Sequence, residues 1–439
     1  IGGIGGAQPP GRGSASSARA SSAAAGRTAV PEPREVARRL ASRFPLQIGS
    51  NAVGLGREQT DNGKGMLLGN PHFPWDGTER FYQAHLTIPG KLDVQGASLL
   101  GVPIVLIGHT RGLAWSHTVS TAFRFTPFEL TLAPGSPTTY LVDGRPKRME
   151  RDDLVVDVRR PDGSIRKVRR SLWTTEYGPV FTEVSGQSLF PWTETKAWAL
   201  GDANASNFRY LNHFFETNLA QSVREYDRVL RRNQGVPWVN SIAADARGEA
   251  YYADISVVPH VTDEHARRCN TALGAVTTQA IGLPVLDGSR SACRWGRDRS
   301  AVEPGILGPD EHLPSLRRTD YVLNANDSYW LSNLRARLEG FPRIIGDERT
   351  ERSLRTRIGL LMVDGRRFTR QALQEMVFSN RQYAGELWRD ALLPVCDALP
   401  GYADACAALR AWKVRDDVDS KGALLFRKIA DRLLGGSAP

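Results

Sequence analysis

Gly49-Ser50-Asn51-Ala52 is the stretch on which the reading of this 439-residue chain turns. Three further pieces follow it in order: Gly69-Asn70-Pro71-His72-Phe73, then Gly101-Val102-Pro103, then Gly108-His109-Thr110-Arg111-Gly112-Leu113-Ala114-Trp115-Ser116-His117-Thr118-Val119. A Gly-Ser pair alone is ordinary loop sequence, but its chemistry changes if the chain is cut between the two residues. A serine hydroxyl is a weak nucleophile at neutral pH and needs a base to accept its proton. An N-terminal Ser50 would carry that base in its own α-amine, which titrates at roughly 7.7 to 8.0; the uncut peptide nitrogen has no basicity. Gly49, having no Cβ, is expected to take a positive φ or a strained turn that lets Ser50 reach the preceding carbonyl.

In this order and spacing the pieces resemble the start of the large subunit of the penicillin acylase family of N-terminal nucleophile hydrolases, nearest its aculeacin A acylase and acyl-homoserine lactone acylase branch. The resemblance implies a four-layer αββα sandwich and an amidohydrolase made by self-cleavage at Gly49-Ser50. The acyl chain would be hydrophobic and the head group a homoserine lactone, a lipopeptide or a β-lactam antibiotic. It also implies the site. Ser50 is the nucleophile, and His72 orients it or helps to move its proton. Phe73 lines the acyl pocket. Val119 gives a backbone N–H to the oxyanion, and Asn326, from Tyr321-Val322-Leu323-Asn324-Ala325-Asn326-Asp327-Ser328, gives a side-chain donor, with Asn324 as its competitor. An arginine supports the substrate side: Arg357 fits Arg-Ile-x-x-Leu best, with Arg355 close behind. Further landmarks are Glu176-Tyr177-Gly178-Pro179-Val180, Val239-Asn240 through Tyr252-Ala253-Asp254, Leu286-Asp287-Gly288 and Trp295-Gly296, so the resemblance runs from Pro45 to about Leu361 and fades after it. One branch of the family binds calcium with aspartates after the oxyanion strand; Ser120-Thr121-Ala122-Phe123-Arg124-Phe125-Thr126 has none, so no calcium is expected there. No cofactor and no metal are expected.

Composition narrows the partners. Lys and Arg number 57 against 47 Asp and Glu, a net charge of +10, yet the basic residues are scattered among acids with no nucleic-acid-binding motif. The densest cluster, Arg166, Lys167, Arg169 and Arg170, follows Pro161-Asp162-Gly163 and reads as an exposed β-hairpin. A 41% apolar fraction with ten tryptophans indicates a packed core, and no apolar run approaches the roughly 20 residues of a membrane helix. Neither nucleic acid nor membrane is an expected partner. Four cysteines form two local pairs, Cys269 with Cys293 and Cys396 with Cys406, without zinc spacing; two disulfides of a secreted or periplasmic protein and reduced buried thiols both fit. No Gly-x-Ser-x-Gly elbow supports an α/β-hydrolase.

Along the chain, 1–29 is Gly-, Ala-, Ser- and Arg-rich and expected to be disordered, without the apolar core of a signal peptide. Residues 30–49 read as a linker before the cleavage site, with a short helix from Pro33 to Phe44 striped by Val36, Leu40 and Phe44. Residues 50–439 read as the acylase large-subunit region, truncated at its C-terminal end. The pattern is α+β. Short strands run from Ser50 to about Ile255, interrupted by one helix from about Ala205 to Arg232 with Leu219, Val223, Tyr226 and Leu230 at helical spacing. Helices follow at Arg352–Met362, Arg370–Phe378, Ala384–Leu399, Ala403–Trp412 and Gly422–Leu434. The family's small subunit, which forms part of the acyl pocket, has no counterpart before Ser50. An inactive fragment or pseudo-enzyme lacking that subunit is therefore the alternative to an active acylase, and an apolar surface around Phe73 and Trp75 is expected to lack its cover.

Overall fold

The computed structural model describes residues 7–10, 31–41, 49–184 and 186–433. Its centre is the strand Gly49–Leu55, which pairs antiparallel with Met66–His72 on one side and Tyr321–Asn324 on the other. This strand is buried on both faces. Ala52 joins the main core, whereas Val53 and Leu55 pack with Leu323, Leu360, Val363 and Phe368 on the opposite face. The alternation follows from the two-residue period of a strand.

Beneath the main-core face lies a seven-stranded sheet ordered Ser315–Arg318, Ala250–Ala253, Val239–Asp245, Leu113–Val119, Ile107–His109, Leu92–Leu99 and Phe81–Ile88. The two sheets come unusually close. A Cβ on Gly54 would lie 2.8 Å from the Ala243 carbonyl oxygen, and one on Gly69 would lie 2.7 Å from Ser116 Oγ. Alanine at either position would push the sheets apart. Helix Leu354–Val363 covers the outer face of the small sheet through Leu360 and Val363. Helices Arg209–Thr217 and Val223–Asn233 cover the far face of the large one, where Phe214 meets His117 and Tyr226 meets Tyr251. The layers are thus helix, sheet, sheet, helix, as the family resemblance implied.

A second β system, Lys196–Asp202, Phe125–Ala133, Ser136–Val142 and Arg145–Arg148, extends the same core. The hairpin Glu150–Arg159 with Ile165–Thr175 projects from it, exposed along most of its length as the basic cluster suggested. Segment Ser120–Thr126 carries a buried guanidinium: Arg124 pairs with Asp254 at 3.3 Å and donates to Ser256 Oγ at 2.7 Å.

Several expectations need revision. The helix expected over 205–232 is two helices, because Ser222 caps a new one by accepting from Glu225 N at 3.3 Å while Glu225 accepts from Gln221 N at 2.6 Å. Leu219 falls in the break and is exposed. Helices Asp263–Cys269 and Ala272–Ile281 lie between Ile255 and Arg352, where no helix was expected; Thr262 and Thr271 cap them, and Gly282 ends the second at φ 79°. Helix Pro33–Ala41 buries Val36 and Leu40 in the main core, so it is a packed element; Phe44 lies outside the described residues. Most of 1–29 also lies outside them, but within it Ala7 is buried in the core and Gln8 Nε2 donates to the Ser171 carbonyl at 3.0 Å.

The C-terminal helices begin within two residues of their expected positions: Leu354–Val363, Arg370–Val377, Tyr383–Asp397, Ala403–Ala411 and Lys421–Leu433. The last three close a small core around Trp412 and Phe426. Among the described residues no helix is long and apolar enough to cross a membrane. Both cysteine pairs form disulfides, closing sequence separations of 24 residues for Cys269–Cys293 and 10 for Cys396–Cys406. Peptide mapping without reductant is expected to recover these two linkages, and replacing either pair by serine to cost about 3 kcal/mol of stability. Denaturation midpoints of the two double variants, read at constant m, provide the check.

Candidate active site

Ser50 is 1% exposed, at the end of the central strand opposite Pro71. Its Oγ donates to the Gly49 carbonyl oxygen at 2.5 Å, so the hydroxyl already touches the peptide group before it. Its backbone N–H donates to Asn326 Oδ1 at 2.6 Å. Gly49 lies in extended strand and not in the left-handed region expected of it. What it contributes is space, since a Cβ there would sit 3.1 Å from Asn326 Oδ1 and 3.5 Å from His72 Nδ1.

The strained backbone is instead at Asn326, with φ 72°. The turn that carries it is organised by Asn324, which is buried. Asn324 Oδ1 accepts from Asn326 N at 2.9 Å and Thr118 Oγ1 at 2.6 Å, and its Nδ2 donates to the Asp327 carbonyl at 2.9 Å. Asn240 adds a third link by donating to Thr118 Oγ1 at 3.0 Å, while its own Oδ1 accepts from Tyr252 OH at 2.8 Å. Asn324 therefore holds the turn, and Asn326 reaches Ser50. Asn326 Nδ2 donates to the Val119 carbonyl at 3.0 Å, which brings Val119 to the same place. The amide orientation follows from this hydrogen-bond network.

Of the two arginines weighed above, Arg355 reaches the site. Its Nη2 donates to Asn326 Oδ1 at 3.0 Å, and its Nη1 to Asn51 Oδ1 at 3.0 Å and the Ser50 carbonyl at 3.3 Å. Asp327 anchors the helix that carries it by accepting from Ser353 N at 2.9 Å and Ser353 Oγ at 2.8 Å. Arg357 is two residues further on, about 200° around the helix, and turns away to Glu351 at 3.0 Å and the face of Tyr383. The assignment of Arg357 to the site is corrected accordingly. Burial lowers the Arg355 pKa, with Asp327 opposing.

His72 faces the start of the strand, paired in register with Gly49. Its Nε2 lies 2.9 Å from Asn70 Oδ1, an acceptor, so the proton sits on Nε2 and Nδ1 is left as a lone pair towards Gly49. Burial and then the Arg355 charge push its pKa below the ordinary value, keeping the ring neutral near pH 7. Neither Asn70 nor Asn51, whose Nδ2 donates to Asn70 Oδ1 at 3.3 Å, was given a role from the sequence.

Beside Ser50 opens a cavity of about 160 Å³ whose walls are almost wholly apolar, among them Phe73, Phe81, Val119, Phe214 and Trp238. Phe73 packs between Phe81, 5.1 Å between ring centroids, and Trp238, 6.0 Å. The exception is His117, which also lines the cavity. Its Nδ1 meets the Asn240 carbonyl at 3.0 Å and burial drives its pKa down to about 4. Trp75, by contrast, is 91% exposed, and Phe208 and Phe215 on the neighbouring helix are exposed too.

The chain is similar over most of its length to known acylases. Aculeacin-A acylase of Actinoplanes utahensis is 47% identical over 435 residues, covering 94% of this chain and 54% of the relative. The acyl-homoserine lactone acylase PvdQ of Pseudomonas savastanoi is 41% identical over 405 residues, 90% of this chain and 51% of its own. The chain thus spans about half the length of the curated relatives it matches. Among solved structures, the penicillin G acylase of Alcaligenes faecalis superposes with a TM-score of 0.58 at 19% identity, over 84% of this chain and 60% of that one, a likeness of fold. The penicillin amidase family model matches residues 10–438, so the resemblance continues well beyond Leu361. With strand, Asn turn and apolar cavity in one fold and the family model spanning nearly the whole sequence, the chain belongs to the penicillin amidase family.

Proposed function

We propose that this chain is the catalytic portion of an acylase that hydrolyses the amide between a hydrophobic acyl chain and a polar head group, with Ser50 as an N-terminal nucleophile released by self-cleavage. The observation that carries this reading is the contact of Ser50 Oγ with the Gly49 carbonyl oxygen, 2.5 Å, beside an apolar cavity. In self-cleavage Oγ adds to the Gly49 carbonyl carbon, the C–N bond breaks with a proton delivered to the Ser50 nitrogen, and water hydrolyses the resulting ester. The Ser50 nitrogen becomes an amine. In turnover that amine takes the Oγ proton as Oγ attacks the substrate carbonyl and returns it to the leaving amine, and water then hydrolyses the acyl ester on Oγ to release the acid and restore the hydroxyl. Val119 N–H and the Asn326 amide stabilise the oxyanion. His72, neutral, orients the serine end of the strand, and Phe73 with its aromatic neighbours receives the acyl chain. No cofactor is needed.

Arg355 sets the electrostatics of this scheme. A fixed cation beside the α-amine disfavours its protonated form and holds its pKa below the ordinary 7.7 to 8.0, which enlarges the fraction able to act as base at neutral pH. The relatives' names point to lipopeptides and acyl-homoserine lactones as substrate classes. The exposed Trp75, Phe208 and Phe215 fit an apolar surface covered by a small subunit cut from the same precursor. Two disulfides fit a secreted or periplasmic protein.

Ser50→Ala is expected to abolish both self-cleavage and amide hydrolysis. Mass spectrometry for a chain beginning at residue 50, with an acyl-amide assay of the protein assembled with its small subunit, reads both; processing of the alanine variant at the same bond would remove Ser50 from the role. Asn326→Ala should lose about 3 to 4 kcal/mol of transition-state stabilisation, expressed in kcat. Asn324→Ala should instead lower the unfolding midpoint, because it leaves Thr118 and Asn326 N without their buried acceptor. For Arg355→Gln, removal of the neighbouring cation raises the amine pKa, so the acidic limb of the kcat/KM profile moves to higher pH. Arg357→Gln should leave the profile in place, and equal shifts in both would contradict the geometry.

A further inference from the structure

Away from Ser50, three polar side chains distant in sequence converge. A ring nitrogen of His260, a ring nitrogen of His312 and a carboxylate oxygen of Asp298 lie within 4.8 Å of one another. We propose that His260, Asp298 and His312 form a binding site for a divalent transition-metal cation of the zinc class, which ties the loop 295–313 to the segment leaving strand Ala250–Ala253.

The frame of the site stands before any ion arrives. His260 N donates to the Gly305 carbonyl at 2.8 Å, Gly296 N donates to the His260 carbonyl at 3.1 Å, and Pro259 forms a β-bridge with Ile306. Asp298 is aimed by its own loop. Its Oδ1 accepts from Ser300 N and Ser300 Oγ, both at 2.8 Å, which turns Oδ2 towards Gly308 N at 2.9 Å and His312 Nδ1 at 2.6 Å. The two histidine rings stand edge to face, 5.7 Å between centroids.

One feature asks for a ligand. His260 Nδ1 is buried without a hydrogen-bond partner, in a protein segment where the backbone groups around it are bonded. An orphaned buried nitrogen is costly and is commonly explained by a water or ion. Gly296 packs against the ring, where a Cβ would lie 2.3 Å from that same nitrogen, so glycine is what lets the imidazole sit here.

Ligand chemistry selects the ion. Two imidazoles and one carboxylate suit zinc and its first-row neighbours, whereas calcium and magnesium prefer all-oxygen shells. With metal–ligand bonds of 2.0 to 2.2 Å, tetrahedral neighbours stand about 3.3 Å apart. Closing from 4.8 Å needs side-chain rotation of the order of an ångström or two, and the His312–Asp298 hydrogen bond gives way to bonds through the metal. Water would complete the shell. None of the three residues lines the cavity beside Ser50, so the ion would act on the stability of this region and not on the chemistry there.

The test uses the full chain without an affinity tag, stripped with a chelator and titrated with zinc chloride by calorimetry. One zinc ion per chain is expected, with a rise in the thermal midpoint. Cobalt(II) in place of zinc should give the intense visible absorption of a low-coordinate site. His260→Ala leaves the Asp298 loop bonds intact and is therefore the deciding variant; it should weaken zinc binding by about 100-fold or more and abolish the thermal shift. His312→Gln should do the same. His85→Ala, which removes an exposed histidine paired with Asp93 at 2.7 Å, should change neither. A parent protein that takes up no zinc, or a His260→Ala variant that binds it as tightly as the parent, would overturn the proposal.

Discussion

Asn324 sits where the two sheets of the sandwich meet, and the geometry at Ser50 hangs on its side chain. One amide oxygen receives Thr118 Oγ1 from the large sheet and the backbone N–H of Asn326 from its own turn. These groups are buried, so a missing partner would cost about 1 to 3 kcal/mol each. That penalty locks the Asn turn onto strand Leu113–Val119 and holds Asn326 at positive φ. The position of Asn326 relative to Ser50 is in this sense a property of the interface between sheets.

The same turn governs the cation. Asp327 caps the helix Leu354–Val363 through Ser353, and the helix then delivers Arg355 back to Asn326, Asn51 and the Ser50 carbonyl. Strand, turn and helix therefore close a ring of polar contacts around one serine. Its opposite side is the apolar cavity, where no charged side chain competes for the space. On the proposed acylase reading, a hydrocarbon chain would be desolvated there while the reacting carbonyl meets donors fixed by the ring.

Close approach of the sheets underlies both arrangements. Gly54 and Gly69 leave no room for a Cβ against Ala243 and Ser116, and this tight spacing is what lets short side chains such as Thr118 and Asn324 bridge the gap. Larger residues at those two positions would separate the layers and break the bridge.

Local periodicity in the sequence by itself determined the α+β class and the C-terminal helices, because it survives without knowledge of the fold, while the resemblance carried by its short motifs implied the family and Ser50, His72, Phe73, Val119 and Asn326 as residues that come together. It also brought the choice of arginine down to two. Tertiary structure decided between Arg355 and Arg357, since only the helix's rotation against the Asn turn distinguishes residues 200° apart. It likewise moved the strained backbone from Gly49 to Asn326, placed Val36 and Leu40 of the 33–41 helix in the core, and split 205–232 at the Ser222 cap. Capping threonines at 262 and 271 were legible signals for the two unexpected helices. The convergence of His260, Asp298 and His312 had no such signal, because residues brought together by backbone bonds between distant loops leave no spacing in the chain to read.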